Sequence, residues 1–135
     1  MAQYKSFYKL LESLADKYND KTAVLYDTFE VINSGNIFDL PKETLNMIKQ
    51  TIDEHEFKKL FAEAHWIYRE HLHKMRQRFE IDMMFKTGVE SFDYDFREKV
   101  LKKGAPFKSV DELKQYFDSA CIMVGVQGQT KDMIK

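Results

Sequence analysis

The chain has 135 residues, with 21 basic and 22 acidic side chains, one cysteine, two prolines and five glycines. A single cysteine excludes a disulfide framework and a multi-cysteine zinc module, and 44% hydrophobic with 14% aromatic residues excludes a disordered chain. The net charge of −1 argues against general electrostatic binding of nucleic acid, leaving one compact domain over residues 1–128 and a tail, 129–135, expected to be mobile.

The first expected element is an amphipathic helix. Tyr4, Phe7, Tyr8, Leu11, Leu14, Ala15 and Tyr18 recur at spacings of three and four. Residues 22–35 are ambiguous. Val24, Leu25, Tyr26, Phe29, Val31 and Ile32 favour strands, but Leu25, Phe29 and Ile32 also share a helical face. The absence of clean alternation favours helix here.

Pro41 opens the next helix, which runs to about Ile52 with Leu45, Ile48 and Ile52 inward. Asp53 and Glu56 have capping-box spacing and imply a kink or break. The longest expected helix then runs from about Glu54 to Lys86. Phe57, Phe61, Ala64, Tyr68, Leu72, Met75 and Phe79 form its core stripe. It would be about 48 Å long at 1.5 Å per residue.

Gly88 is expected to end that helix. Asp93 caps a short helix that stops at Gly104, and Ser109 with Glu112 forms the capping box of a last one carrying Val110, Leu113, Phe117, Ala120 and Val124. The pattern as a whole reads as all-α: a single-domain bundle of five or six helices around one long central helix, residues 54–86.

No targeting segment precedes the first stripe. No apolar run approaches the roughly 20 residues that span a bilayer. The expectation is a cytoplasmic protein with no membrane partner. Phe, Tyr, Met, Ile, Asn and Lys outnumber Gly, Ala, Arg and Pro about threefold. Such a bias points to an AT-rich genome, as in a low-GC bacterium or one of its viruses.

The search for chemistry returns little. Phosphate-loop and nucleophile-elbow patterns are absent. Cys121 lies beside the inward face of the last expected helix and reads as a small packed residue. Glu70 and His73 make one Glu-x-x-His pair, where a di-iron bundle needs two, and they face away from the core stripe. No metal and no cofactor is expected. Glu70, His73 and Glu80 are the only candidates for acid–base work, and on an exposed helix face such residues are ordinarily just solvated.

Charge is unevenly placed. Residues 58–86 carry 7 basic and 4 acidic groups, against 6 and 10 in residues 1–57. On one long helix, Lys58, His65, Arg69, His73 and Arg76 would share an outer face with Trp66, the only tryptophan. Two readings of Trp66 compete: another helix covers it, or it is an exposed anchor flanked by arginines. The functional expectation is a small non-enzymatic interaction protein, an inhibitor, adaptor or assembly factor. It would bind a protein partner through Trp66, Arg69, His73, Arg76, Lys58 and His65. The alternative is a binder of nucleic acid or a phosphorylated ligand along the basic Lys58–Arg76 stripe. A second apolar patch on so long a helix would also support a homodimer.

Overall fold

The computed structural model describes residues 27–33 and 35–134. The expected first helix, and residues 22–26 of the ambiguous segment, lie outside the described residues. The architecture is α/β, not an all-α bundle. Four strands, β1 (Thr28–Val31), β2 (Lys59–Glu63), β3 (Asp82–Glu90) and β4 (Ser119–Ile122), form one sheet in the order β1-β2-β3-β4. Every neighbouring pair is parallel. Helices α1 (Lys42–Glu54), α2 (Leu72–Phe79) and α3 (Val110–Lys114) occupy the three crossovers.

The expected 54–86 helix is the main correction. It is replaced by β2, a 3-10 turn (Trp66–His71), α2 and the first half of β3. Spacings of three and four misled because β2 is short. In β2, burial alternates with period two, Leu60 and Ala62 inward and Lys59, Phe61 and Glu63 outward, and Ala64 continues the inward set. Leu60 and Ala64 are also four apart, so a strand of this length mimics a helical stripe. β3 alternates for its whole length: Met83, Phe85, Thr87 and Val89 are buried, with Met84, Lys86, Gly88 and Glu90 opposite. Glu80 takes a left-handed conformation, φ 53°, and stops α2 two residues before β3 begins.

Other boundaries were legible. α1 buries Leu45, Ile48 and Ile52 as their spacing implies, and ends at Glu54. Asp53 is not a cap there; it pairs with Lys49 one turn back, at 2.6 Å. Asp93 does cap, its Oδ1 accepting from the Phe96 N–H at 2.7 Å to start a π-helical turn, Phe96–Val100. Ser109 Oγ accepts from Glu112 N–H at 3.1 Å and opens α3, while the Glu112 carboxylate accepts from Lys108 N–H at 2.8 Å. The expected last helix nevertheless stops at Lys114, and Ala120 and Cys121 belong to β4. Asp118 pins the start of that strand. Its N–H donates to Phe85 O at 2.9 Å and its carboxylate accepts from Phe85 N–H at 2.8 Å.

The winding decides where function can sit. Each strand lies beside its sequence neighbour, with no reversal of order. Right-handed crossovers in that order keep all helices on one face, as in a segment of a (β/α) barrel. The inward residues of β2 and β3 pack with Ile37, Leu45, Ile48, Ile52, Leu72, Met75, Phe79, Phe107, Leu113 and Phe117 into one core. A one-residue slip of either strand would put this whole set on the wrong face. Among the described residues, nothing comparable covers the other face. No helix among them is long and apolar enough to cross a membrane.

Candidate functional site

The open face of the sheet carries the charge. Register aligns Glu30 with Phe61 and Met84, then Glu63 with Lys86 and Ser119, then Gly88 with Cys121. Because the strands are parallel, these rows climb toward one rim, formed by the C-terminal ends of all four. In singly wound α/β folds that rim bears the active site.

Two charged clusters stand on it. In the first, Lys86 Nζ lies 3.0 Å from Glu63 Oε1 and 3.4 Å from Glu30 Oε1, over the Phe61 ring at 5.5 Å. The hydrogen bond to Glu63, reinforced by Glu30, raises the Lys86 ammonium above its ordinary range against a smaller opposing effect of burial. Lys86 thus carries its positive charge at neutral pH. In the second cluster, Lys103 Nζ pairs with Glu90 Oε1 at 2.7 Å.

The second pair depends on local backbone chemistry. Glu90 sits at φ 65°, a conformation that costs a non-glycine residue about 1–2 kcal/mol. It lies at a bulge, where β3 advances from Gly88 to Glu90 while β4 advances from Cys121 to Ile122. Bulges of this kind re-aim side chains at sheet rims. Here the bulge turns the carboxylate back over Gly88. A Cβ on Gly88 would stand 2.9 Å from Glu90 Oε1 and 3.0 Å from Lys103 Nζ, so only glycine leaves room for the pair to close over the strand.

The connection that carries Lys103 is built around Arg97, which is 0% exposed and whose main-chain carbonyl accepts from Lys103 N–H at 3.1 Å. Its guanidinium donates to the carbonyls of Ser91 (2.9 Å), Phe92 (3.3 Å), Ala105 (2.9 Å) and Phe107. It also pairs with Glu98 at 3.2 Å and lies over the Phe107 ring at 3.6 Å. Burial lowers its pKa from the usual arginine value, opposed chiefly by the Glu98 carboxylate. One side chain therefore fastens both ends of the 91–107 connection. The Lys103 carbonyl accepts from His65 Nε2 at 3.2 Å, while His65 Nδ1 accepts from Ile67 N–H at 3.3 Å. The tautomer protonated at Nε2 satisfies both bonds.

The residues expected to form one binding face do not form one. Lys58 precedes β2, exposed, its N–H donating to Asp27 O at 2.7 Å. His65 bridges to the Lys103 carbonyl. Trp66 is 3% exposed, enclosed by Phe107, Tyr116 and Phe117, with the Arg69 guanidinium 4.8 Å above its ring. It is a core residue, which settles its two readings and removes the anchor. Arg76 lies over the Phe85 ring at 4.8 Å, and His73 is exposed on α2. The basic Lys58–Arg76 stripe required a single helix, and it disappears with that helix. Cys121, expected to be packed, is exposed.

Glu30, Glu63, Lys86, Glu90 and Lys103 went unnoticed in the sequence. Lys86 and Glu90 share a face with Gly88 because burial alternates from Asp82 to Glu90, but the residue types do not alternate there, so the sequence carried no clean signal for them.

The fold and rim together define an α/β enzyme-type scaffold, and comparison with known proteins agrees. A queuine lyase from Clostridium spiroforme, solved bound to SAM and queuine, superposes with a TM-score of 0.78. The two are 41% identical over 91% of this chain and 54% of the lyase. An uncharacterised protein of Methanocaldococcus jannaschii is 29% identical over 66% of this chain and 26% of its own length. No family model matches the sequence. This chain thus spans about half of the lyase and about a quarter of the archaeal protein. Likeness to an enzyme through nearly the whole chain overturns the expectation of a non-enzymatic inhibitor, adaptor or assembly factor. The single basic helix on which the alternative reading rested is absent from the fold.

Proposed function

We propose that this chain forms the ligand-bearing rim of a SAM-dependent lyase acting on a purine-like base. The observation that carries this reading is the likeness to the queuine lyase at 41% identity, with a charged rim on the open face of the matching sheet. The chain spans 54% of that lyase, and the proposal concerns the share that these strands supply.

The donor set fits SAM. Its methionyl end carries an ammonium and a carboxylate, so it needs one partner of each sign close together. Glu90 and Lys103 provide that pair at 2.7 Å, and each can exchange its present partner for the ligand's opposite charge. Bound, SAM supplies an activated sulfonium. The protein's part is to orient it: Gly88 keeps the floor clear, Arg97 and His65 fix the connection that carries Lys103, and the bulge aims Glu90.

Equilibrium dialysis of the 135-residue protein against radiolabelled SAM tests the reading. Saturable binding is expected, weakened about tenfold by Glu90→Gln and by Lys103→Met, in keeping with loss of one charge-assisted hydrogen bond. A folded wild-type protein without saturable SAM binding would refute it.

A further inference from the structure

The longest uncharged run in the chain covers residues 119–130, twelve positions in a protein of which 32% are charged. It begins as β4, and residues 120–124 within it are all apolar. Folding leaves much of the run in the open: Ile122 is 45% exposed, Met123 37% and Val124 67%. The run is nevertheless fixed in place. The Met123 N–H donates to Glu90 O at 2.9 Å, and the Met123 carbonyl accepts from Gln129 Nε2 at 2.9 Å. The Gln129 side-chain oxygen accepts in turn from Gly125 N–H at 2.9 Å.

β4 is also an edge. It pairs with β3 on one side, and no strand among the described residues lies on the other. An open edge is a template for strand pairing, which proteins blunt with charge, proline or a bulge in the edge strand. β4 has none of these. The extra residue of the bulge belongs to β3, and residues 119–130 hold neither charge nor proline. The other edge of the sheet differs: β1 follows Asp27 and carries Glu30, and both are exposed.

The absence of charge selects the occupant. A strand that pairs with its own copy about a twofold axis meets its own sequence reversed. Charges in such a strand come close to their own copies, and like charges directly opposite are destabilising. A run without charge escapes that cost and covers its apolar surface as well. β1 of another copy would instead bring Asp27 and Glu30 to this edge.

We propose that β4 pairs antiparallel with β4 of a second copy of this chain, giving a dimer with one continuous sheet of eight strands, four from each copy. This goes beyond SAM binding and does not depend on it. The axis stands perpendicular to the sheet, which keeps the helices of both copies on one face. Each residue then stays on its own face, and residues directly opposite each other share a face. The residue at the axis therefore meets itself. Cys121 is the middle of residues 119–123, the stretch bonded to β3, and it is the register partner of Gly88 on the open face. The two copies of Cys121 come together with Cβ atoms about 5 Å apart. Both open faces stay uncovered, with their rims at opposite ends of the sheet. So short a contact buries less than the roughly 800 Å² per partner of a standard stable interface, which puts dissociation in the range of about 1–100 μM.

Sedimentation equilibrium of the 135-residue protein from about 1 to 200 μM tests the proposal. The expected result is a monomer–dimer equilibrium, with the dimer at twice 16.1 kDa. Mild copper–phenanthroline oxidation or a short bismaleimide should link the two copies through Cys121, the only cysteine in the chain. Val124→Lys and Ile122→Lys put at exposed positions the residue that proteins use to protect edges. Each should keep the wild-type circular dichroism spectrum and weaken the dimer at least about tenfold. A monomer throughout the range overturns the proposal, including one that takes up a strand from a different polypeptide. So does a dimer that resists both substitutions, or one that the Cys121 reagents fail to link. None of these results bears on SAM binding, so the two readings fail separately.

Discussion

Replacing Arg97 by methionine keeps most of the side chain's length and removes its five donors. In the wild type those donors meet four main-chain carbonyls, of Ser91, Phe92, Ala105 and Phe107, and the Glu98 carboxylate. The site is fully buried, so water cannot replace them. A buried acceptor left without its donor costs about 1–3 kcal/mol, and removing one partner of a buried ion pair costs about 3–5 kcal/mol. The terms overlap because the same guanidinium serves both, so the expected loss is about 4 kcal/mol, not their sum. Against a typical domain stability of about 5–15 kcal/mol, that is a large share. Urea unfolding followed by far-ultraviolet circular dichroism measures it. The midpoint should fall with the slope unchanged, as for a change in stability alone. Arg97→Lys should recover only part of the loss, since one ammonium cannot span carbonyls on both ends of the connection. A loss below about 1 kcal/mol for Arg97→Met would refute the reasoning, because it would mean that the carbonyls find other donors or open to water.

Two further outcomes follow from the rim. Gly88→Ala forces a methyl against Glu90 Oε1 and Lys103 Nζ, both the free ends of flexible side chains. The fold should therefore tolerate it, with stability changed by less than about 1 kcal/mol, while dialysis shows SAM affinity reduced severalfold. Lys86 is raised above the ordinary lysine value of 10.5 by its carboxylate partners. Its contribution to stability is then fully present below pH 10.5 and is lost as pH rises through the higher folded value. Thermal unfolding from pH 8 to 12 should show a steeper alkaline decline in the wild type than in Lys86→Met; parallel curves would count against the Lys86 linkage.

How much of this could be read from the residues varies along the chain. Caps and turns were legible because their physics is local. Ser109 and Asp93 accept from N–H groups within the next few residues, and Pro41 fixes its own backbone angle at the start of α1, so their positions alone announce them. α1 was legible because thirteen residues give helical periodicity time to separate from alternation. β2 was not, because five residues do not: Leu60 and Ala64 satisfy both periods. β3 was absorbed into the preceding stripe, because it alternates in burial but not in polarity: Met83, Met84 and Phe85 are apolar in a row, and Lys86 and Thr87 are polar. Phe79 ends that stripe, and nothing in the composition of Glu80 advertises the left-handed turn that separates helix from strand. Trp66 could not be placed from its own neighbours. Its cover comes from Phe107, Tyr116 and Phe117, some forty to fifty residues away.

By itself, then, the sequence determined the caps at Asp93 and Ser109 and the apolar face of α1, all properties of residues close together in the chain. It also determined the charges, though not their grouping. Tertiary structure alone decided that Glu30, Glu63 and Lys86 meet, since they come from three strands and lie up to 56 residues apart. Parallel pairing is non-local: each strand finds its partner only after a crossover has been laid down. The choice of face in every strand then follows from that pairing. Charges scattered over three segments of the sequence thus meet on one face only once the sheet forms.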